Sequence, residues 1–251
     1  MLISFSLLTL ILVALYVGWY HWPGWYLLEA ETVVGLLVLV DIGLGPLATL
    51  LVSNPSKPRT EWRRDIAFIA TVQLLALGYG AHTLWVGRPV FYALSLDRVE
   101  VVRALTFKDE TVQAARLQGA TILPEWSALP RWIWAPLPDD AEKREEIINS
   151  AMSGGDDVVV MPQYFRPWAD GKAAMDRMLI RVDLLANLKT WVESDYQTQF
   201  RALNRPEADV GALPVRGTRR DGAWIIDRAT GEPLAFWPVE IWSLKKSLLP
   251  H

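Results

Sequence analysis

The hydrophobic positions of the chain fall into two kinds of pattern. Before residue 87 there are three runs of about 20 mainly apolar residues, at 2–20, 32–52 and 66–86, and each has the length of a helix that spans a bilayer. Beyond residue 87 the apolar positions recur with the shorter periods of amphipathic helices and strands. The pattern predicts a membrane protein with three N-terminal transmembrane helices (1–87) and a following α+β domain (88–251).

Local signals in the second region predict individual elements. Short apolar runs predict a strand at 90–96 and a hairpin formed by 223–227 and 233–241, with Gly231 in the turn between them. Apolar residues at helical spacing predict an amphipathic helix that begins near Ala173 and continues to about residue 186. Residues 122–138, which are rich in proline and tryptophan, are expected to form an ordered loop.

Composition narrows the possible chemistry. The chain is 51% hydrophobic, with a mean hydropathy of +0.17, yet 21% of its residues are charged, which agrees with a membrane part and a polar part. A formal net charge of −3 argues against nucleic acid as a partner. The chain has no cysteine and three histidines far apart, so disulfides are excluded and a multi-histidine metal site is not expected.

Basic residues predict the orientation in the membrane. Those that precede Arg88 are confined to one short segment, as Lys57, Arg59, Arg63 and Arg64. Positive charge favours the cytoplasmic side, so this loop and the N-terminus are expected in the cytoplasm. The domain at 88–251 is then expected on the opposite side.

Small and polar residues in the apolar runs are candidate contacts for a partner helix. They are Asp41, Gly45, Pro46, Gln73 and Gly80, and small residues let helix backbones approach closely in lipid. Two interpretations of Asp41 remain open. It is either a neutral internal partner of Gln73, or a contact for a polar group on another protein's helix.

The tryptophans of the 122–138 segment are candidate contacts for a partner's globular part. Trp126, Trp132 and Trp134 lie among its prolines. They either pack in the core of the domain or form a rigid docking surface.

Sequence motifs typical of enzymes are missing, since the sequence has no glycine-rich phosphate loop, no zinc-protease motif and no Gly-x-Ser-x-Gly turn. We therefore expect no enzymatic activity, no catalytic residue, no cofactor and no metal.

Several motifs together resemble a known family. The second apolar run contains Asp41-Ile-Gly-Leu-Gly45-Pro46, which is followed by Arg88-Pro89-Val90, Asp97-Arg98, Ser150-Ala-Met-Ser-Gly154-Gly155 and Asp227-Arg-Ala-Thr-Gly231. In this combination they resemble the TfpX/TfpZ family of type IV pilin accessory proteins of Gram-negative bacteria, over nearly the whole chain. The resemblance implies an inner-membrane protein with a periplasmic domain that acts beside a cognate pilin, without enzymatic activity or cofactor.

These sequence features are compatible with two functions. The favoured hypothesis is a non-enzymatic chaperone or assembly modulator for a cognate type IV major pilin. It would contact the pilin's transmembrane helix in the lipid bilayer and the pilin's globular head outside the bilayer. The alternative is a membrane-anchored periplasmic sensor or ligand-binding domain. A sensor needs a cytoplasmic output module, and the predicted cytoplasmic parts are only a short N-terminus and a short loop.

Overall fold

A computed structural model of the chain contains two compact units. It describes residues 2–52, 58–125, 129–188, 196–242 and 244, with the backbone alone at 2–5, 41, 42, 44, 45, 51 and 52. The helical unit is Met1–Arg88 and the strand-rich unit is Pro89–His251.

The helical unit is built from five α-helices within the described ranges. They are α1 (Leu2–Leu15), α2 (Gly24–Leu27), α3 (Ala30–Val38), α4 (Gly45–Val52) and α5 (Arg59–Gly87). A π-helical turn at Tyr16–Tyr20 follows α1, and a second one at Leu39–Leu44 joins α3 to α4. Pro46 has no N–H to donate to the preceding helical turn. The π-helical turn at Leu39–Leu44 therefore lies where the regular hydrogen-bond ladder of the helix is interrupted.

The prediction of three transmembrane helices is wrong. Among the described residues one helix, α5, is long and apolar enough to cross a membrane. The first apolar run ends in the π-helical turn at Tyr16–Tyr20, and the second contains the one at Leu39–Leu44, so the regular α-helices α1, α3 and α4 have 14, 9 and 8 residues. At 1.5 Å per residue these helices are about 21, 14 and 12 Å long, whereas a hydrocarbon core is about 30 Å thick. The 29 residues of α5 extend for about 44 Å.

The helical unit has its own small hydrophobic core. Buried side chains from several helices meet there, namely Leu8, Leu15, Tyr20, Ala30, Leu37, Leu77 and Leu84. The Tyr20 hydroxyl donates a hydrogen bond of 2.8 Å to the Leu84 carbonyl, which ties the end of the first π-helical turn to the C-terminal part of α5. Most buried tyrosine hydroxyls have such a partner.

The strand-rich unit contains a mixed sheet with seven strands in the described part of the chain. They are β1 (Pro89–Ser95), β2 (Arg98–Arg103), β3 (Arg131–Trp134), β4 (Arg166–Pro167), β5 (Val210–Arg216), β6 (Asp221–Asp227) and β7 (Pro233–Trp237). Their spatial order is β4-β3-β1-β2-β5-β6-β7. The β1–β3 and β2–β5 pairs are parallel, and the other pairs are antiparallel.

The sheet corrects the expected structure of the 122–138 segment. Part of that segment is a strand, β3, which pairs with β1 and places Trp132 beside Tyr92. Every residue of β1 is buried, as expected for a strand covered on both faces. A parallel pairing between strands so far apart in sequence leaves no local signal, because the partner is not joined to β3 by a turn.

The described part of the strand-rich unit also contains four short α-helices. They are α6 (Asp109–Leu117), α7 (Ala141–Met152), α8 (Lys172–Met178) and α9 (Tyr196–Leu203). The helix predicted from Ala173 to about residue 186 is wrong in its length, because α8 ends at Met178. Ile180 then exchanges two backbone hydrogen bonds of 2.8 Å with Ala212 on β5. The helix does not continue through Ile180, because the backbone N–H and C=O of Ile180 form hydrogen bonds with β5.

Candidate functional site

Gly80 lies on α5 where the Leu37 side chain of α3 packs directly against it. A Cβ atom built on Gly80 would lie 2.3 Å from Leu37 Cδ2 and 2.7 Å from Leu37 Cγ. Both residues are buried, and α3 packs against α5. The absence of a side chain at Gly80 therefore serves contact within the unit, and its use by a partner helix stays a prediction.

The other predicted partner-helix residues lie in or beside the same bundle. Asp41 is in the second π-helical turn, but its side chain, like the surroundings of Gly45, falls outside the described part. Pro46, at the second position of α4, and Gln73, on α5, are both half-buried. The turn and α4 both pack against α5. Whether Asp41 meets Gln73 or a partner stays a prediction.

The outer surface of the helical unit is strongly apolar. On α5, Phe68 is 71% exposed and Leu75 is 69% exposed, and on α1 Leu10 is 67% exposed. Exposed apolar side chains also occur on α3 and α4, at Leu36 and Leu50. Large exposed apolar side chains in such number are typical of a membrane-facing or protein-binding surface.

An aromatic cluster lies on one face of the sheet in the strand-rich unit. The Tyr92 and Trp132 rings stack with their centroids 4.8 Å apart. Trp132 also contacts Trp168 at 4.8 Å and Trp224 at 4.9 Å, edge to face. Trp224 in turn contacts Phe236 at 5.6 Å. Contacts of this kind stabilise beyond the area they bury, by about 0.5–1.5 kcal/mol per pair.

The aromatic cluster shows that the sheet curls toward this face. Trp132 is on β3 and Trp224 is on β6, which are four strands apart in the sheet order. In a flat sheet the two strands would be separated by about 19 Å, at 4.8 Å per strand. Ring centroids 4.9 Å apart require the two arms of the sheet to bend toward each other. The cluster thus joins strands that do not pair.

Buried donors occur inside the aromatic cluster. Tyr92 is 4% exposed, and neither its hydroxyl nor Trp224 Nε1 has a hydrogen-bond partner among the described residues. Burial raises the pKa of the Tyr92 hydroxyl above its usual range, so the group stays protonated and remains a donor.

The predicted docking tryptophans have different surroundings. Trp132 is half-buried and lies within the aromatic cluster, which favours a packing role. Trp134 is also half-buried, and its Cγ is 2.8 Å from where a Cβ on Gly171 would lie, so the segment before α8 packs directly on it. Trp126 lies outside the described residues. A docking role for any of the three stays a prediction.

Several charged side chains line one cavity of the strand-rich unit. A cavity of about 490 Å³ is lined by residues that include Arg181, Asp183 and Glu207. Arg181 forms an ion pair with Asp183, and Glu207 accepts a 3.0 Å hydrogen bond from the Tyr196 hydroxyl. Burial and this hydrogen bond raise the pKa of Tyr196. Within the described residues, no group of three or more potential metal-ligating side chains comes together.

Comparison with known proteins identifies relatives of the chain. It is 29% identical over 160 residues to the fimbrial assembly protein of serogroup I of Dichelobacter nodosus, and 28% identical over 160 residues to that of serogroup E1. Each match covers 62% of this chain and 59% of the relative, so the chain spans about three fifths of the length of these two relatives. A third match, 29% identical over 101 residues, covers 40% of this chain and 77% of the protein of serogroups C1 and C2.

The chain is a homologue of fimbrial assembly proteins. These relatives confirm the resemblance to a type IV pilus accessory family that its motifs indicate. No protein-family model matches the chain, and no solved structure does.

Several motif residues that carry this resemblance to fimbrial assembly proteins lie at turns or at helix ends. Asp227 ends β6, and its Oδ1 accepts hydrogen bonds from the backbone N–H groups of Ala229 and Thr230 at 2.8 and 3.1 Å. Gly231, with φ of +76°, completes the turn to β7. Gly154, with φ of +79°, ends α7 in the left-handed conformation that glycine adopts most readily. These motif residues shape turns and helix ends.

Sequence reasoning missed two groups of residues. The aromatic cluster also requires Trp168 and Trp224, which are distant in sequence from Trp132 and meet it only because the sheet curls. The second group surrounds Arg88, which is 5% exposed and lies between two tryptophans. The position of Arg88 directly after an apolar helix is a sequence signal for a residue at the membrane–water interface. Its contact with Trp19 could not be predicted, because Trp19 is far away in sequence.

Proposed function

We propose that this chain is a non-enzymatic inner-membrane accessory protein for a cognate type IV pilin, acting as a chaperone or assembly modulator. The observation that carries the proposal is the homology to proteins named as fimbrial assembly proteins. A non-enzymatic role is consistent with the ion pair of Arg181 with Asp183 and the hydrogen bond of Glu207 at the cavity of about 490 Å³.

In this proposal α5 crosses the inner membrane once. Its exposed apolar side chains support this placement, since Phe68, Leu75 and Tyr79 are 71%, 69% and 76% exposed. Arg59, Arg63 and Arg64 lie at its N-terminal end and are exposed, which favours a cytoplasmic location for that end. The strand-rich unit then lies in the periplasm.

The two units offer the pilin two kinds of contact. A pilin awaiting assembly has an apolar helix in the membrane and a globular head outside it. The apolar faces of α1 and α5 suit the helix. The strand-rich unit suits the head. Neither contact involves nucleic acid. Besides the pilin, the protein contacts the lipid bilayer through its exposed apolar side chains.

Deletion of the gene in its native bacterium tests this function. We expect fewer surface pili and a shorter pilin half-life, both restored by a wild-type copy, with unchanged pilin mRNA. The intact mass of the pilin should also be the same in both strains, since no modification is proposed. Normal piliation and normal pilin half-life in the deletion strain would contradict the proposal. A changed mRNA level would favour the sensor alternative, and a changed pilin mass would favour an enzyme.

A further inference from the structure

Arg88 is a buried cation at the end of α5. It is 5% exposed, and its guanidinium carbon lies 4.4 Å from the centroid of the Trp85 ring and 6.0 Å from that of Trp19. The two tryptophan rings contact each other edge to face at 4.9 Å. The planar guanidinium is therefore held in one orientation by aromatic faces, as cation–π contacts favour.

The hydrogen-bonding capacity of Arg88 is largely unused. Its Nη1 donates a 2.6 Å hydrogen bond to the Trp85 carbonyl, which caps the helix end. A guanidinium has five N–H donors, and Nε has no acceptor among the described residues. One structural hydrogen bond therefore does not account for the burial of the whole group.

No anionic side chain in the described part of the chain balances this charge. Burial lowers the pKa of Arg88, and the Tyr20 hydroxyl is the group that opposes the shift; no carboxylate contributes. An arginine remains charged even so. A buried charge without a counter-ion is costly, so these surroundings favour an anion that comes from outside the chain.

The surroundings of Arg88 point to the membrane interface as the source of that anion. The Tyr20 hydroxyl bonds the Leu84 carbonyl at 2.8 Å, so the turn that follows Tyr20 lies beside this end of α5. That turn carries Trp22, whose ring contacts the ring of Tyr26 on α2 at 5.6 Å. Tryptophan and tyrosine gather at the level of lipid headgroups, where phosphate is the abundant anion.

We propose that Arg88, held between Trp19 and Trp85, binds the phosphate of a membrane phospholipid headgroup. The planar guanidinium fork matches two phosphate oxygens, and the tryptophans flank the acyl-chain boundary. The bound phosphate balances the buried charge and fixes the depth of α5 in the bilayer. The proposal rests on the membrane placement given under the proposed function, and it does not depend on any contact with a pilin.

The test uses the full-length protein, purified and delipidated in an uncharged detergent. Three probes are titrated: dioleoylphosphatidylglycerol, dioleoylglycerol with the same acyl chains and no phosphate, and inorganic phosphate. We expect phosphatidylglycerol to bind at least about tenfold more tightly than dioleoylglycerol, and inorganic phosphate to bind much more weakly than either. Equal binding of the two lipids to the wild-type protein would overturn the proposal. Inorganic phosphate binding as tightly as phosphatidylglycerol would overturn its assignment to a lipid.

Variants locate the binding at Arg88. Arg88→Gln should remove most of the preference for phosphatidylglycerol over dioleoylglycerol. Arg63→Gln, at the other end of α5 and exposed, should retain it, which controls for general attraction of anionic lipid. Equal losses in both variants would overturn the assignment. If Arg88→Gln does not fold, the wild-type titrations decide alone. Cell fractionation tests the membrane location separately, so the two failures are distinguishable.

Discussion

Replacing Gly80 by alanine tests whether this glycine serves packing within the helical unit. The structure places the new methyl group 2.3 Å from Leu37 Cδ2, inside the contact between α3 and α5. Gly78 offers a matched control on the same helix, since a Cβ there would have nothing within 4 Å. Both substitutions change the same residue type by the same amount, so they differ only in the space available.

The expected magnitude combines two opposing effects. Alanine is more favourable than glycine in a helix interior by about 1 kcal/mol, so Gly78→Ala should stabilise the protein by up to that amount. Gly80→Ala has the same helix preference but overpacks a buried contact, which costs about 1–3 kcal/mol. The two variants should therefore differ by about 1–3 kcal/mol in stability. For a unit of this size that is a difference of at least about 4 °C in Tm.

Thermal unfolding of the full-length protein in an uncharged detergent measures this difference. A second arm uses Leu37→Ala, which removes Cγ and both Cδ atoms and so removes the clash. In that background Gly80→Ala should be neutral or stabilising, which gives a coupling between the two positions. Equal Tm values for Gly78→Ala and Gly80→Ala, or no coupling with Leu37→Ala, would refute the packing argument and leave Gly80 free for a partner.

Other contacts lead to further tests. Trp132→Ala should lower the stability of the strand-rich unit by about 3 kcal/mol, the low end for buried tryptophans; an unchanged urea midpoint would contradict this. Asp140→Ala removes the acceptor for the Lys143 N–H at 2.9 Å and should cost about 0.5–2 kcal/mol in the same titration. The Thr230 and Ala229 N–H groups lower the pKa of Asp227, so its stabilisation should be lost below about pH 4. Asp227→Asn should reduce that loss.

Local sequence signals were sufficient for several strands and turns. The strand expected at 90–96 is β1, Pro89–Ser95, and the expected hairpin corresponds to β6 and β7, with Gly231 in the turn at φ of +76°. These elements are predictable because short apolar runs and turn residues are signals that extend over only a few neighbouring positions.

The features that were not predicted depend on residues distant in sequence. The parallel pairing of β3 with β1 and the meeting of Trp132 with Trp224 both require the complete sheet. In the helical unit, apolar length alone suggested three spanning helices, but a π-helical turn ends the first run at Tyr16–Tyr20 and another interrupts the second at Leu39–Leu44. The sequence identified candidate helix contacts but not what they contact. A small residue such as Gly80 allows close packing against a helix of the same chain and against a partner's helix equally well.

The central claim is that this protein acts on a pilin by direct contact, and co-purification tests it most directly. The full-length protein is tagged at its native locus, crosslinked in living cells and purified after solubilisation in a mild detergent. A tagged inner-membrane protein of unrelated function serves as the control. The account predicts that the cognate pilin is recovered as a crosslinked species with this protein and not with the control. Equal recovery of pilin with both proteins, or none with either, would contradict it.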